Sequence, residues 1–285
     1  MKKFYFACLM VLAISAKATT QDHDLYIVSD SLDLITNTKM PYKVFTNSTS
    51  FQGKNVIYNI DQGDTLRINV HNTDTDVHHF QVKGMSYPAT IIAAGDSAMI
   101  EMVFPDAGSY IYYDPLNFPD NKSMGLAGMI NVKDHSHSSF YWNIKEFQKS
   151  KSENIDAGNT EVWNDYYPNY FTINSKSNPG INTDMDARVT GEVGDTIYIY
   201  MVNTGQSIHS MHYHGYHLEI MHSTHQPSHV GRIKDTFALF PMESLVLRLI
   251  PDKPGEYPVH DHNLVAVTAN MMYPNGMFTT LLITY

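Results

Sequence analysis

Apolar and polar residues alternate along most of this chain in short runs, closed by Gly, Asp, Asn or Pro, and helical spacing is scarce. Thr65-Leu66-Arg67-Ile68-Asn69-Val70-His71 is one such run; Ile197-Tyr198-Ile199-Tyr200-Met201-Val202 is another. Strand side chains point to opposite faces with period two, so the pattern predicts half-buried strands. Plentiful Tyr, Val, Ile, Thr and Phe agree with that. The expected class is all-β.

The pattern occurs twice. Gly63-Asp64-Thr65 opens one alternating strand and Gly194-Asp195-Thr196 another, and a histidine follows 15 residues after each glycine, at His78 and His209. Gly108-Ser109-Tyr110 then Asp114 is matched by Gly255-Glu256-Tyr257 then Asp261; Gly128-Met129 is matched by Gly276-Met277. So many shared offsets indicate a duplicated β-sandwich. The copies are expected over 19–134 and 162–285. The Lys-, Ser-, Glu- and Asn-rich stretch 135–161 reads as a linker, with a short helix around Trp142–Lys149. The second copy is about 16 residues longer between its histidine motif and its Gly-x-Tyr motif. That insertion holds His222, His225 and His229 among Pro, Ser and Gly, and it is expected as a surface loop.

Residues 1–18 carry Lys2 and Lys3, a short apolar run and Ala16-Lys17-Ala18, the pattern of a secretory signal peptide. The run is too short for an anchor and no later stretch approaches a bilayer span, so a periplasmic or secreted protein without a membrane anchor is expected. The single cysteine, Cys8, lies inside that segment, leaving no thiol beyond it. Without Lys2, Lys3 and Lys17, 16 basic residues face 29 acidic ones. That balance argues against nucleic acid as a partner.

The chemistry concentrates in two His-x-His triplets, His212-Tyr213-His214 and His260-Asp261-His262. On a strand the two histidines of each triplet share one face, and two such strands side by side converge four imidazoles. Copper and zinc favour that environment, and nickel suits it too.

Ile208-His209-Ser210-Met211-His212-Tyr213-His214-Gly215 and Pro254-Gly255-Glu256-Tyr257-Pro258-Val259-His260-Asp261-His262, with Lys234-Asp235-Thr236 between them, resemble the two-domain multicopper oxidases, laccase-like enzymes of the cupredoxin family. The resemblance spans nearly the whole chain beyond the signal segment. It implies two cupredoxin-like Greek-key β-sandwich domains in tandem, a homotrimer, and copper held by His212, His214, His260 and His262. It also marks departures. Asp261 stands where the family places the cysteine of its blue, type 1 copper, and Ala266 where it places a further histidine. With no thiol available, a blue site cannot form. The first-domain positions that match the rest of the family's three-copper cluster are Gln81, Lys83, Tyr113 and Pro115. Four imidazoles then support one copper ion, at most two.

His209 with Asp261, and His78 with Asp114, occupy former copper positions in the two copies and are expected as hydrogen-bonded or ionic pairs. Gln81, Lys83 and Tyr113 are expected to face the four histidines of a neighbouring subunit as candidate catalytic residues, with the lysine's pKa lowered beside a bound cation. Met271, Met272 and Met277 read as core filler. The leading functional expectation is an exported copper-dependent oxidoreductase acting on a small, electron-rich, phenol-like molecule. A non-catalytic copper-buffering or delivery protein is the alternative, and a hydrolase or lyase using Lys83 and Tyr113 a third reading.

Overall fold

The structure is a computed structural model that describes residues 18–35 and 37–285. The expected signal segment falls almost wholly outside the described residues.

Nine strands build a first sandwich: β1 Thr20–Leu34, β2 Thr38–Thr46, β3 Ile57–Asp61, β4 Thr65–Asn72, β5 His78–Val82, β6 Thr90–Ile92, β7 Ser97–Val103, β8 Gly108–Tyr113 and β9 Ala127–Lys133. Eleven build a second: β10 Ser138–Phe147, β11 Tyr170–Ile173, β12 Thr190–Glu192, β13 Ile197–Asn203, β14 His209–Tyr213, β15 Leu218–Ser223, β16 Ile233–Lys234, β17 Thr236–Leu239, β18 Ser244–Leu249, β19 Gly255–Asp261 and β20 Phe278–Thr284. The helices are α1, Asp120–Ser123, and α2, Lys149–Asp156. Among the described residues no helix is long and apolar enough to cross a membrane.

The duplication reaches the strand pairing. One sheet of the first sandwich runs β2-β1-β4-β7 and the other β3-β9-β8-β5-β6; their counterparts are β11-β10-β13-β18-β15-β16 and β12-β20-β19-β14-β17. β1 runs parallel to β4 as β10 does to β13, and β3 parallel to β9 as β12 does to β20. The result is two cupredoxin-like sandwiches in tandem. Each closes over its own core. Phe45, Phe80 and Tyr112 anchor the first; Trp142, stacked on Tyr213 at 5.9 Å and donating its indole N–H to the Ala187 carbonyl, anchors the second.

Two expectations need correction. The stretch 138–147 is not a linker: it is β10, a strand of the second sandwich and buried along almost its whole length. The short helix starts later, at Lys149. The polar residues that made this stretch look solvated are Asn143, Lys145 and Glu146, and they are buried because they lie in a polar seam between the sandwiches. Lys145 donates to the Gly125 carbonyl (2.9 Å) in the first sandwich, while Lys122 of that sandwich donates to the Thr204 (3.1 Å) and Gly205 (2.7 Å) carbonyls of the second. Burial lowers both ammonium groups, Lys122 to about 8 and Lys145 well below the usual lysine range, where the like charge of Lys122 pushes it further. Beside the seam, Ile111 and Met129 pack on Tyr141, Tyr200, Val202 and Val246, so apolar burial also joins the two sandwiches.

The histidines of the insertion are separated rather than gathered on a loop. His222 belongs to β15 and packs against Gly108 of the first sandwich, where a Cβ would meet its ring at 3.0 Å. His225 stacks on Phe240 at 4.0 Å, and His229 ends a short 3-10 turn.

The seam predicts a stability effect. Lys122→Ala leaves two buried carbonyls without a donor and should cost about 2–4 kcal/mol in chemical denaturation. A loss below about 0.5 kcal/mol would show that water replaces the lysine freely.

Candidate metal centre

β14 and β19 pair antiparallel with His212 opposite His260, Met211 opposite Asp261 and Tyr213 opposite Val259. Period-two alternation buries His209, Met211, Tyr213, Val259 and Asp261 inside the sandwich and turns His212 and His260 to its outer face. Two backbone bonds carry the pairing past the strand ends: His214 N–H to the Pro258 carbonyl (3.0 Å) and His262 N–H to the Ser210 carbonyl (2.7 Å). They set His214 and His262 beside the first two. Gly215 lets the chain turn directly after His214: its φ is +78° and a Cβ there would lie 2.4 Å from the Tyr257 ring.

The four imidazoles form one cluster. Ring centres are 4.7 Å apart for His212–His214, 5.7 Å for His212–His260, 5.5 Å for His212–His262 and 5.2 Å for His214–His260. His214 Nε2 and His260 Nε2 approach to 3.0 Å. Hydrogen bonds fix which nitrogens are available. His260 Nδ1 donates to the Asp261 carbonyl (2.8 Å). His212 Nδ1 donates to Thr236 Oγ1 (2.8 Å), and that hydroxyl in turn donates to Asp235 Oδ1 (3.0 Å). In a neutral ring the opposite nitrogen is then the acceptor, so both rings present Nε2 lone pairs. Burial, helped by repulsion from His212 and His260, lowers the His214 pKa and keeps it available as a neutral donor.

A metal–nitrogen distance of about 2.0–2.1 Å places two adjacent ligand nitrogens roughly 2.9–3.4 Å apart. The His214–His260 pair meets that spacing. Among the described residues no three His, Cys, Asp or Glu groups are drawn close enough to hold an ion together. His212 and His262 meet edge-on, at 88°, and complete a site only by turning about their side-chain torsions. The donor set suits copper, with two ligands in register and two beside them.

Beneath this face lies a buried charge. His209 Nδ1 is 2.6 Å from Asp261 Oδ2, and His209 Nε2 is 2.9 Å from Glu146 Oε2. Asp261 Oδ1 accepts the Ser210 (3.2 Å) and Asn263 (2.8 Å) N–H groups. Glu146 also accepts the Gln206 and Ser207 N–H groups, both at 2.7 Å, and its approach depends on Gly205, whose Cβ would sit 1.8 Å from Glu146 Oε2. The first sandwich repeats the motif. His78 Nδ1 is 2.7 Å from Asp114 Oδ2 and His78 Nε2 is 3.0 Å from Asp74 Oδ2, while Asp114 Oδ1 takes the His79 and Leu116 N–H groups. Burial opposes charge on His209, yet the hydrogen bonds to Asp261 and Glu146 outweigh it and raise the pKa to about 9. Glu146 is held at about 2, burial being overcome by the bond from His209. His209 is therefore an imidazolium with a carboxylate on each nitrogen. The sequence pointed to one carboxylate of each set; Asp74 and Glu146 were missed. Asp74 is four residues before His78 and could have been noticed, whereas Glu146 lay in the supposed linker.

Tyr113 donates to Gln81 Oε1 at 3.1 Å, and the Lys83 ammonium donates to the Met242 carbonyl of the second sandwich in the same chain. No hydrogen bond joins these three residues to the four imidazoles. The Lys83 pKa is lowered by burial, against the pull of Glu243. Met277 is core, but Met271 is 91% exposed and Met272 is also at the surface, so neither fills the interior.

The second of the two tandem cupredoxin-like sandwiches thus carries a histidine cluster on its outer face. Comparison with known proteins agrees. Residues 146–275 match the family model for multicopper oxidase, a span that contains all four histidines. The fold is shared with the Blue Copper Oxidase from Nitrosomonas europaea, at TM-score 0.79 and 21% identity, covering 93% of this chain and 86% of that one. It is shared with the multicopper oxidase mgLAC at 0.76 and 20%, with the same coverage, and with the copper nitrite reductase from Nitrosomonas europaea at 0.70 and 15%, covering 93% and 94%. No curated protein matches the sequence. The resemblance to multicopper oxidases thus rests on a family match over the second half and on fold over nearly the whole chain.

Two measurements follow. The raised pKa of His209 means its contribution, about 3 kcal/mol, is full below pH 6.5 and lost as pH rises through 9. NMR titration should find the ring charged at pH 7, and His209→Gln should abolish this part of the pH dependence. A ring titrating at or below 6.5 contradicts the double ion pair. Thr236→Val frees His212 to adopt either tautomer and should weaken copper affinity about ten-fold in competition with a chelator; unchanged affinity would remove Thr236 from the site.

Proposed function

We propose that this protein is an exported copper-dependent oxidoreductase of the multicopper oxidase type. Its copper sits on imidazoles alone, one ion and at most two, with no blue centre. The observation that carries this reading is the pair of Nε2 atoms of His214 and His260, 3.0 Å apart, with Nδ1 of His260 and of His212 committed elsewhere. When bound, copper supplies one-electron redox chemistry. The chain's own residues hold the donor nitrogens: the Asp261 carbonyl orients His260, and Asp235 through Thr236 orients His212. Because His214 and His262 are exposed, a small phenol-like substrate reaches the site directly, without a relay. Leu264, 65% exposed, and Val265 flank His262 with apolar surface suited to a second subunit, in keeping with a homotrimer.

The same exposure favours a second reading, a copper-buffering or delivery protein, since an open site releases its ion as readily as it admits substrate. Metal analysis and spectra separate the outcomes. Purified protein should take up one copper, two at most, without an intense blue band, and His214→Ala with His260→Ala should lose it. Anaerobic 2,6-dimethoxyphenol should bleach the paramagnetic signal of the copper-loaded protein. An unchanged signal with tight uptake selects the buffering role, and failure to take up copper removes both.

A further inference from the structure

We propose a second binding site, for a small organic ammonium ion with an apolar body, in the cleft between the first sandwich and the segment 148–169, an insertion between β10 and β11 that carries α2. The cleft measures about 940 Å³ and is walled by the loops Asp74–His78 and Leu116–Asn121 on one side and Ile155–Trp163 on the other. Ligand sites commonly run to roughly 300–1,000 Å³ and gather at domain boundaries. This one is pre-formed. Trp163 Nε1 donates to Asp120 Oδ1 across the cleft at 2.7 Å. Lys151 ties down Glu161 (2.7 Å) and the Val162 carbonyl (2.7 Å), and Asn154 donates to Glu161 at 2.6 Å, so the insertion is pinned.

The committed groups can be set aside. Asp74 is engaged by His78, Lys43 and Ser29, and Lys43, the one lysine in the lining, is held by Asp74 and Asp76. An anion therefore finds no free cation here. What remains open is negative. Asp120 keeps Oδ2 without a protein partner among the described residues; burial raises its pKa, against the bond from Trp163, and the Glu161 charge and the Lys151 ammonium act on it in opposite senses. Asp156 closes α2, at the negative end of the helix dipole, and the last turn contains no basic residue. Beside these carboxylates stands Phe118, 55% exposed, with Val77 and Leu116 near it. The Phe118 ring takes the Lys122 ammonium 5.7 Å from its centre and Tyr113 edge-on, and what it leaves exposed, next to carboxylates, suits an ammonium on an apolar body.

Trp163 is one of only two tryptophans, and the other, Trp142, is fully buried in the second sandwich, so emission changes on ligand addition report the cleft. The full chain titrated with 2-phenylethylamine should show a saturable change, confirmed by calorimetry, that 2-phenylethanol and phenylacetate do not produce. Asp120→Asn should weaken binding about ten-fold and Phe118→Ala several-fold, with an unchanged thermal midpoint showing that each variant is folded. His214→Ala should leave it unchanged, which keeps this site separate from the histidine face whatever that face binds. The proposal is overturned if the three probes behave alike, if Asp120→Asn and Phe118→Ala bind as the wild type does, or if His214→Ala abolishes binding.

Discussion

The structure depends on an imidazolium held between two carboxylates at the heart of each sandwich. An interior that buries an imidazole beside an aspartate must satisfy both ring nitrogens. A lone buried charge is costly, and a neutral imidazole beside an ionised carboxylate leaves one nitrogen without a partner. Protonating the ring and giving each nitrogen its own carboxylate solves both problems. The surplus negative charge is absorbed by backbone N–H groups: Ser210 and Asn263 on Asp261, Gln206 and Ser207 on Glu146. The same N–H groups belong to the segments that carry the four outer histidines. A core ion pair thereby sets the geometry of a surface site, because Asp261 orients His260 through its carbonyl while its carboxylate anchors the strand end.

Glu146 extends this network into the contact between sandwiches. It lies on β10 beside Lys145, whose ammonium reaches into the first sandwich, and it faces residues 204–207, whose carbonyls receive Lys122 from that sandwich. The exchange is reciprocal: each sandwich places a buried lysine on carbonyls of the other. Buried polar groups of this kind add less net stability than apolar packing of the same volume, but they tolerate only one register. Apolar contacts around Tyr141, Tyr200 and Val246 supply adhesion. The lysines and Glu146 supply alignment, and through Glu146 that alignment reaches the histidine face.

The alternation of Thr65–His71 and of Ile197–Val202 was legible because each strand has one buried and one exposed face, and the repeat was legible because both copies keep the same turn glycines. That the two histidines of each triplet share one face followed from period two alone. β10 was hidden for the opposite reason: it is buried on both faces, so it shows no alternation, and its Asn143, Lys145 and Glu146 have polar partners on another domain that no local pattern reveals. His222 was misplaced on a loop since composition marks Pro and Ser nearby, whereas the strand extends to Ser223 and packs on a glycine distant in sequence. Met271 and Met272 looked like core from residue type, yet the turn at Asn270 and Met271, both with positive φ, puts them at the surface. Long-range partners, above all, could not be read from sequence.

The two copies diverged along separate lines because a sandwich has two places where chemistry can collect, its faces and its ends. The second copy kept imidazoles on a face, where period-two alternation preserves them as a set. The first copy holds Gln81 and Tyr113 at the matching face, bonded to each other. At its end, His78 is buried and capped by Asp74 as His209 is by Glu146, but Asp74 borders a broad cleft whereas Glu146 lies fully buried under residues 204–207. The difference has one structural cause. The 148–169 segment packs α2 on β2 and is bridged to the Asp120 loop by Trp163, which leaves the cleft between them, while residues 204–207 close directly onto Glu146. The duplication yielded two equal scaffolds, and how the chain covers each end determines which one is open.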